Sequence, residues 1–174
     1  MISTIQVREA IPSDAENLLK HLKKIAVETG FMTMGAEGPG KTVEEQRKEI
    51  KTIIESDVMV LFVALDKNEL IGIAEIHGNV SPKLKHIGDI SISIAKAYWK
   101  IGLGTTMMEQ LIEWANSPAS QLKRLELTVQ ARNERARRLY EKMGFKLEAI
   151  MPRGVKDEGV YLDVCLMSML IGEI

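Results

Sequence analysis

The chain has 174 residues, a mass of 19.5 kDa and a single cysteine. With 23 Lys and Arg against 24 Asp and Glu its net charge is -1, which argues against a general nucleic-acid binder, since that role needs a basic excess. The longest apolar run, Val58 to Leu65, falls far short of the ~20 residues of a membrane span, Met1 to Glu9 lacks the basic-then-apolar pattern of a secretory leader, and Cys165 alone forms neither an internal disulfide nor a thiolate metal cluster. These features predict one domain, residues 1–174, in the cytoplasm, with no membrane or nucleic-acid partner.

In chain order, Ile2 to Glu9 alternates apolar and polar residues and predicts a strand. Pro12 and Ser13 open a helix, with Ser13 and Glu16 spaced as a capping box and Leu18, Leu22, Ile25 and Thr29 as its inner stripe. Thr33 to Lys41 is a Gly/Pro loop. Thr42 and Glu45 make a second capping box, and the helix after it, to about Glu55, has so sparse an apolar stripe that it suggests a lid. Val58 to Leu65, Leu70 to His77 and His86 to Ile94 predict a three-stranded meander. In the last strand Ile90, Ile92 and Ile94 face one way, and Asp89, Ser91 and Ser93 the other. A helix from about Gly102 stops at Ser117 and Pro118. Then follow a strand (Leu125, Leu127, Val129), a helix (Ala136, Leu139, Tyr140, Met143) and two strands, Lys146 to Pro152 and Val160 to Leu170. An antiparallel meander followed by a crossover predicts a mixed sheet with helices on its faces.

Two glycine-rich segments compete for the functional reading. Gly35 to Thr42 matches the phosphate-loop pattern, and Val58 to Asp66 resembles the strand that carries its magnesium-binding Asp. A phosphate loop needs a buried strand running straight into it and a parallel sheet. Here a helix comes first, and Asp66 sits in a hairpin. We therefore read 35–42 as a flexible loop before a capped helix, with nucleotide chemistry as the weaker alternative. The second segment runs from Ile94 through Lys100, Ile101, Gly102, Leu103, Gly104 and Thr105. It takes a strand through a two-glycine turn into a long helix, whose N-terminal N–H groups suit an anion.

About 30 residues further on comes Asn133, Ala136, Leu139, Tyr140, Gly144, Phe145. The two segments together resemble the GNAT superfamily of N-acetyltransferases, whose signatures are Q/R-x-x-G-x-G/A and N-x-x-A-x-x-L-Y-x-x-x-G-F. The second is matched at every stated position. The first departs at Trp99, where the family has Gln or Arg. The resemblance covers nearly the whole chain. It implies an α+β, three-layer fold, with a mixed, mostly antiparallel sheet of about seven strands flanked by about four helices.

The resemblance also implies roles. Acetyl-CoA would be the acyl donor, with its pyrophosphate on the turn Lys100 to Thr105. The pantetheine arm would pair with the strand near Ile92, Ser93 and Ile94, where a backbone N–H would hold the oxyanion. Tyr140 would be the general acid: a phenol, of pKa about 10, is protonated at neutral pH and can give its proton to a departing thiolate, whose thiol has a pKa of about 8.5. Asn133 would either cap its helix or bond the pantetheine. Arg135 belongs to a basic run with Arg132, Arg137, Arg138 and Lys142, which either attracts the phosphates or is a solvated helix face. Glu75, Asp89 and Glu126 are the candidate general bases, with a water chain as the alternative. Cys165 lacks an adjacent base and reads as core, which favours direct attack in a ternary complex. His21, His77 and His86 lack metal-ligand spacing, so no metal is expected. The acceptor, an amine on a small molecule or a protein, would lie by the first two helices and the loop with Phe31, Met32 and Met34, where Glu28 and Glu37 can attract it. The apolar last strand suggests a homodimer. A non-catalytic acyl-CoA sensor is the alternative of a different class.

Overall fold

Alternation makes the first strand: Ile5 and Val7 pack on the core and Gln6 faces solvent, giving β1 (Ile5–Glu9). The computed structural model describes residues 4–172, so Ile2 and Ser3, expected in this strand, lie outside the described residues. The turn into the first helix departs from expectation. Ser13 and Glu16 form no capping box. Asp14 instead accepts the Ile11 N–H at 2.8 Å while Arg8 grips the same carboxylate at 2.7 and 2.9 Å. This ion pair reaches back to β1, so local spacing does not reveal it. α1 (Ala15–Glu28) follows.

Thr42 and Glu45 do form their box, with the Glu45 N–H on Thr42 Oγ1 at 3.2 Å and the Thr42 N–H on Glu45 Oε2 at 2.8 Å. They start α2 (Val43–Ile54). The expected lid is a core helix: Ile50 is fully buried and Ile53 nearly so, against Leu18, Leu61 and Val63. Few apolar residues suffice because each is deeply seated, and burying one such side chain contributes roughly 1.5–3 kcal/mol.

The remaining elements are β2 (Val60–Asp66), β3 (Glu69–Gly78), β4 (Ile87–Ile94), α3 (Leu103–Asn116), β5 (Arg124–Gln130), α4 (Glu134–Lys142), β6 (Lys146–Asp157) and β7 (Val160–Leu170). β6 runs on past Pro152, where prediction ended it. It is an edge strand, and an edge tolerates a proline that donates no ladder bond; the pairing slips between Met151 and Val155.

The seven strands lie in the order β1-β2-β3-β4-β5-β7-β6. Every neighbouring pair is antiparallel except β4 and β5. Strand alternation sorts the core into two. Leu61, Val63 and Ile73 pack on α1 and α2, whereas Phe62, Ala74, Leu125 and Leu127 pack with Met107 and Leu111 of α3 and Tyr140 of α4. The result is the expected three-layer α+β arrangement.

The one parallel pairing positions the site. β4 and β5 match at only three places, Ile87 with Arg124, Gly88 with Leu125 and Asp89 with Glu126. β4 continues to Ile94 and β5 to Gln130 without pairing with each other, so the sheet opens into a wedge at their C-terminal ends.

The fold also overturns the phosphate-loop alternative. No strand leads into residues 35–42, because the chain arrives from α1. β2 is antiparallel to both its neighbours. Lys41 pairs with Glu49 at 2.6 Å, and Asp66 accepts the Tyr98 hydroxyl at 2.8 Å. Neither side chain is free to meet a nucleotide and its metal.

Candidate active site

The wedge has an anion-ready end. After β4 the chain makes a short 3-10 turn, Lys96–Tyr98, and then reverses direction through Lys100 (φ 63°) and Gly102 (φ 87°). Gly102 is the residue before α3, and its left-handed backbone is one that glycine adopts without steric cost. No side chain caps α3 and no acid sits in its first turn. The N–H of Thr106 is the first to bond within the helix, to Gly102 at 3.1 Å, so the N–H groups of Leu103, Gly104 and Thr105 precede the ladder. α1, α2 and α4 each carry an acidic residue in that turn.

Gly104 also has a packing task. A Cβ there would meet Leu139 Cδ2 at 3.1 Å and Ile94 Cδ1 at 3.6 Å. Its missing side chain therefore brings α3 close to α4 and β4. Ile101 is half-buried and packs on the α3 core.

Across the wedge, α4 is short and capped by Asn133, whose Oδ1 accepts the Ala136 N–H at 3.3 Å. Of the two expected uses of Asn133, this is the one its contacts display. Tyr140 is 7% exposed and packs against Phe145, with ring centroids 6.1 Å apart. Burial pushes its phenol up to about 12, and nearby Arg135 pulls in the opposite direction. Trp99, the departure from the signature, donates its indole N–H to the Ile94 carbonyl at 2.8 Å. Arg135 lies over the Trp99 ring, 3.5 Å from its centroid. The Ile94 carbonyl is thus already satisfied, whereas the β4 edge at Ile92 and Ser93 has no β5 partner.

The opposite face of the wedge is polar, as the alternation of β4 predicted. Register puts Glu75 opposite Ser91, His77 opposite Asp89, and Asp89 beside Glu126. Ser93 Oγ lies 3.1 Å from Nε2 of His21, an almost fully buried histidine of α1 whose pKa burial lowers to about 4.

The three candidate bases have separate fates. Glu126 accepts from Arg124 Nε at 2.9 Å; Arg124 also binds Glu148 at 2.7 and 2.9 Å, and the Ser168 hydroxyl donates to Glu148. Glu126 is therefore a strut under β5, already neutralised by a cation. Asp89 is exposed beside it, and its pKa is raised by desolvation and by Glu126. Glu75 is half-buried, and desolvation raises it with no hydrogen bond opposing the shift.

On the α1 side the end of the helix, the loop after it and the β6–β7 turn enclose a cleft of about 480 Å³. Phe31 lines it, beside Val27. Met32, Met34 and Glu37 do not line it, and Glu28 instead accepts the Lys96 N–H at 2.9 Å, tying α1 to the turn after β4. Arg132, Asp157 and Glu158 complete the wall. Arg132 donates to Gln130 Oε1 at 2.7 Å, to the Gly30 carbonyl at 3.2 Å and to Asp157 at 2.8 Å. The acidic wall was not foreseen, because residues 30, 132 and 157 meet only through the tertiary fold.

A split mixed sheet with an open helix N-terminus on one face and a polar floor on the other defines an acyl-transfer fold. The sequence model of the Acetyltransferase (GNAT) family matches residues 33–145, and the chain belongs to that family. It is similar to a GNAT acetyltransferase from Streptococcus pneumoniae, with 38% identity, a TM-score of 0.92, and 97% of this chain and 99% of that one covered. The fold is also that of a phosphinothricin acetyltransferase from Sinorhizobium meliloti in complex with AcCoA, with 20% identity, a TM-score of 0.81, and 97% and 89% of the two chains covered. The chain is 26% identical over 106 residues to the L-amino acid N-acetyltransferase AaaT of Escherichia coli (strain K12); the match spans 61% of this chain and 65% of that relative's length.

Proposed function

We propose that this chain acts as one N-acetyltransferase domain that moves an acetyl group from acetyl-CoA to a primary amine by direct attack in a ternary complex. The observation that carries the reading is the wedge: the β4 edge left unpaired by β5, the uncapped N-terminus of α3 and Tyr140 of α4 all belong to one layer of the fold. In this reading the turn Lys100 to Thr105 holds the pyrophosphate, and the β4 edge at Ile92 and Ser93 pairs with the pantetheine amides. A backbone N–H of that edge stabilises the oxyanion.

Glu75 takes the proton of the attacking ammonium, directly or through water. It sits opposite Ser91, beyond the last β4–β5 pair, whereas Asp89 lies at that pair. As the amine nitrogen bonds to the acyl carbon the carbon–sulfur bond breaks, Tyr140 gives its proton to the sulfur, and the extra proton left on the nitrogen restores the phenol through water. Burial that raises the phenol raises a thiol in the same cleft too, and the positive charge of Arg135 works against the rise of the phenol.

The acceptor fits the cleft beside Arg132, where Glu158 attracts an ammonium, Asp157 being paired with Arg132, and Phe31 and Val27 offer apolar contact. Similarity to AaaT puts L-amino acids first among the acceptors to test, ahead of polyamines, aminoglycosides and peptide N-termini. We also propose a cytoplasmic homodimer, formed through the exposed apolar residues Leu147, Ile150, Val160 and Tyr161 of β6 and β7.

The test is thiol release from acetyl-CoA with that panel of amines. At least one amine should release thiol in step with its own acetylation. Retained coenzyme A affinity with no acceptor turned over would instead favour the sensing module.

A further inference from the structure

The family signature puts Gln or Arg where this chain has Trp99, so the side chain expected to grip the diphosphate is missing from the turn. The same place is not without a cation. Arg135, in the first turn of α4, lays its guanidinium on the Trp99 indole, 3.5 Å from the ring centroid. A cation over a tryptophan face is held by the ring quadrupole, and a flat guanidinium also stacks on it. The indole is itself fixed, because its N–H is bonded to the Ile94 carbonyl at 2.8 Å, where β4 ends.

Arg135 has no carboxylate partner among the described residues. Its neighbours Arg132 and Arg138 pair with Asp157 and Glu134. Among the groups that shift Arg135 the one ionisable neighbour is Tyr140, and partial burial lowers the guanidinium. Stacking uses the face of the guanidinium and leaves its edge N–H groups, the ones that fork onto phosphate oxygens, unspent.

We propose that Trp99 is a positioning residue that aims Arg135 across the wedge, so that Arg135 takes over the diphosphate contact the family gives to residue 99. The ligand-binding cation has moved from the turn before α3 to the facing helix, and the indole is its platform. This rests on the acyl-CoA reading of the wedge. It predicts that the two residues act as a unit, and only on ligands that carry phosphate.

The experiment is titration calorimetry of the full chain with coenzyme A and with pantetheine. Wild type should bind coenzyme A. Arg135→Ala should weaken that binding by about tenfold or more, the worth of one charge-assisted contact, and leave pantetheine binding unchanged. Trp99→Ala should weaken coenzyme A binding in the same ligand-selective way. The double variant should be no weaker than Arg135→Ala, since the ring acts through the guanidinium. Trp99→Phe keeps a ring and should keep most of the affinity, which guards against a misfolded alanine variant. Placing the charge back on the turn, Trp99→Arg in the Arg135→Ala background, should recover at least half of the lost binding free energy.

Wild type binding coenzyme A while both alanine variants bind it equally well overturns the proposal and leaves the acyl-CoA reading standing. So does an equal loss for pantetheine, or additive losses in the double variant. Failure of wild type to bind coenzyme A overturns the acyl-CoA reading and this proposal with it.

Discussion

Two glycine-bearing turns in this chain lead into helices, and they differ in what they leave unsatisfied. The turn before α2 carries the formal phosphate-loop pattern, yet Thr42 and Glu45 consume two of its free N–H groups, Glu44 and Glu45 add negative charge, and Glu49 neutralises Lys41. The turn before α3 has a shorter motif, no cap and no acid, and it opens on a wedge in the sheet. Glycines and a lysine in the right order do not make an anion site. Such a site needs unspent donors with room in front of them.

The contrast can be broken or sharpened by experiment. The largest effect belongs to the wedge: Tyr140→Phe should cut kcat by about 10²–10⁴-fold with little change in coenzyme A affinity, measured by steady-state kinetics and calorimetry. Equal turnover would remove Tyr140 as the proton donor.

Next comes the support that ties α1 to β4. His21 is held neutral by burial, with its pKa lowered from 6.5 to about 4, so the unfolded chain binds more protons between those values. Stability should therefore be full above about pH 6.5 and fall as the pH drops toward 4, by on the order of 2–3 kcal/mol. Urea melts across that window should show the loss, and His21→Asn should flatten it.

A smaller pair compares the two turns directly. Thr42→Ala should cost about 1 kcal/mol of stability and leave coenzyme A binding alone. Gly102→Ala should cost about 1–2 kcal/mol, because alanine resists the left-handed backbone that Gly102 adopts, and should also weaken coenzyme A binding. The smallest effect is Lys41→Ala, which should change coenzyme A affinity by less than twofold. A large loss there would reverse the contrast between the turns.

The sequence carried the strand and helix order, the alternation of β4 and the α4 motif, because each rests on spacing within one element. Ile90, Ile92 and Ile94 facing α3, with Ser91 and Ser93 behind them, follow from period two alone. What it did not carry are the contacts that join distant segments. Asp14 supplants Ser13 at the first helix because Arg8 reaches it from β1. Gly104 is small for the sake of Leu139, on another helix. Glu126 looked available as a base until Arg124, Glu148 and Ser168 closed around it. The cleft wall of Arg132 and Asp157 exists only once Gly30 and the β6–β7 turn meet. Local chemistry names the candidates, and long-range pairing decides which of them remain free.

The three-pair seam between β4 and β5 has a mechanical consequence. Four strands hang on one side of it and three on the other, so the sheet is two panels joined by a short hinge line near Asp89. On the proposed reading, a donor that lays its own amides into the gap stitches the panels together, so that seating it stiffens the whole domain.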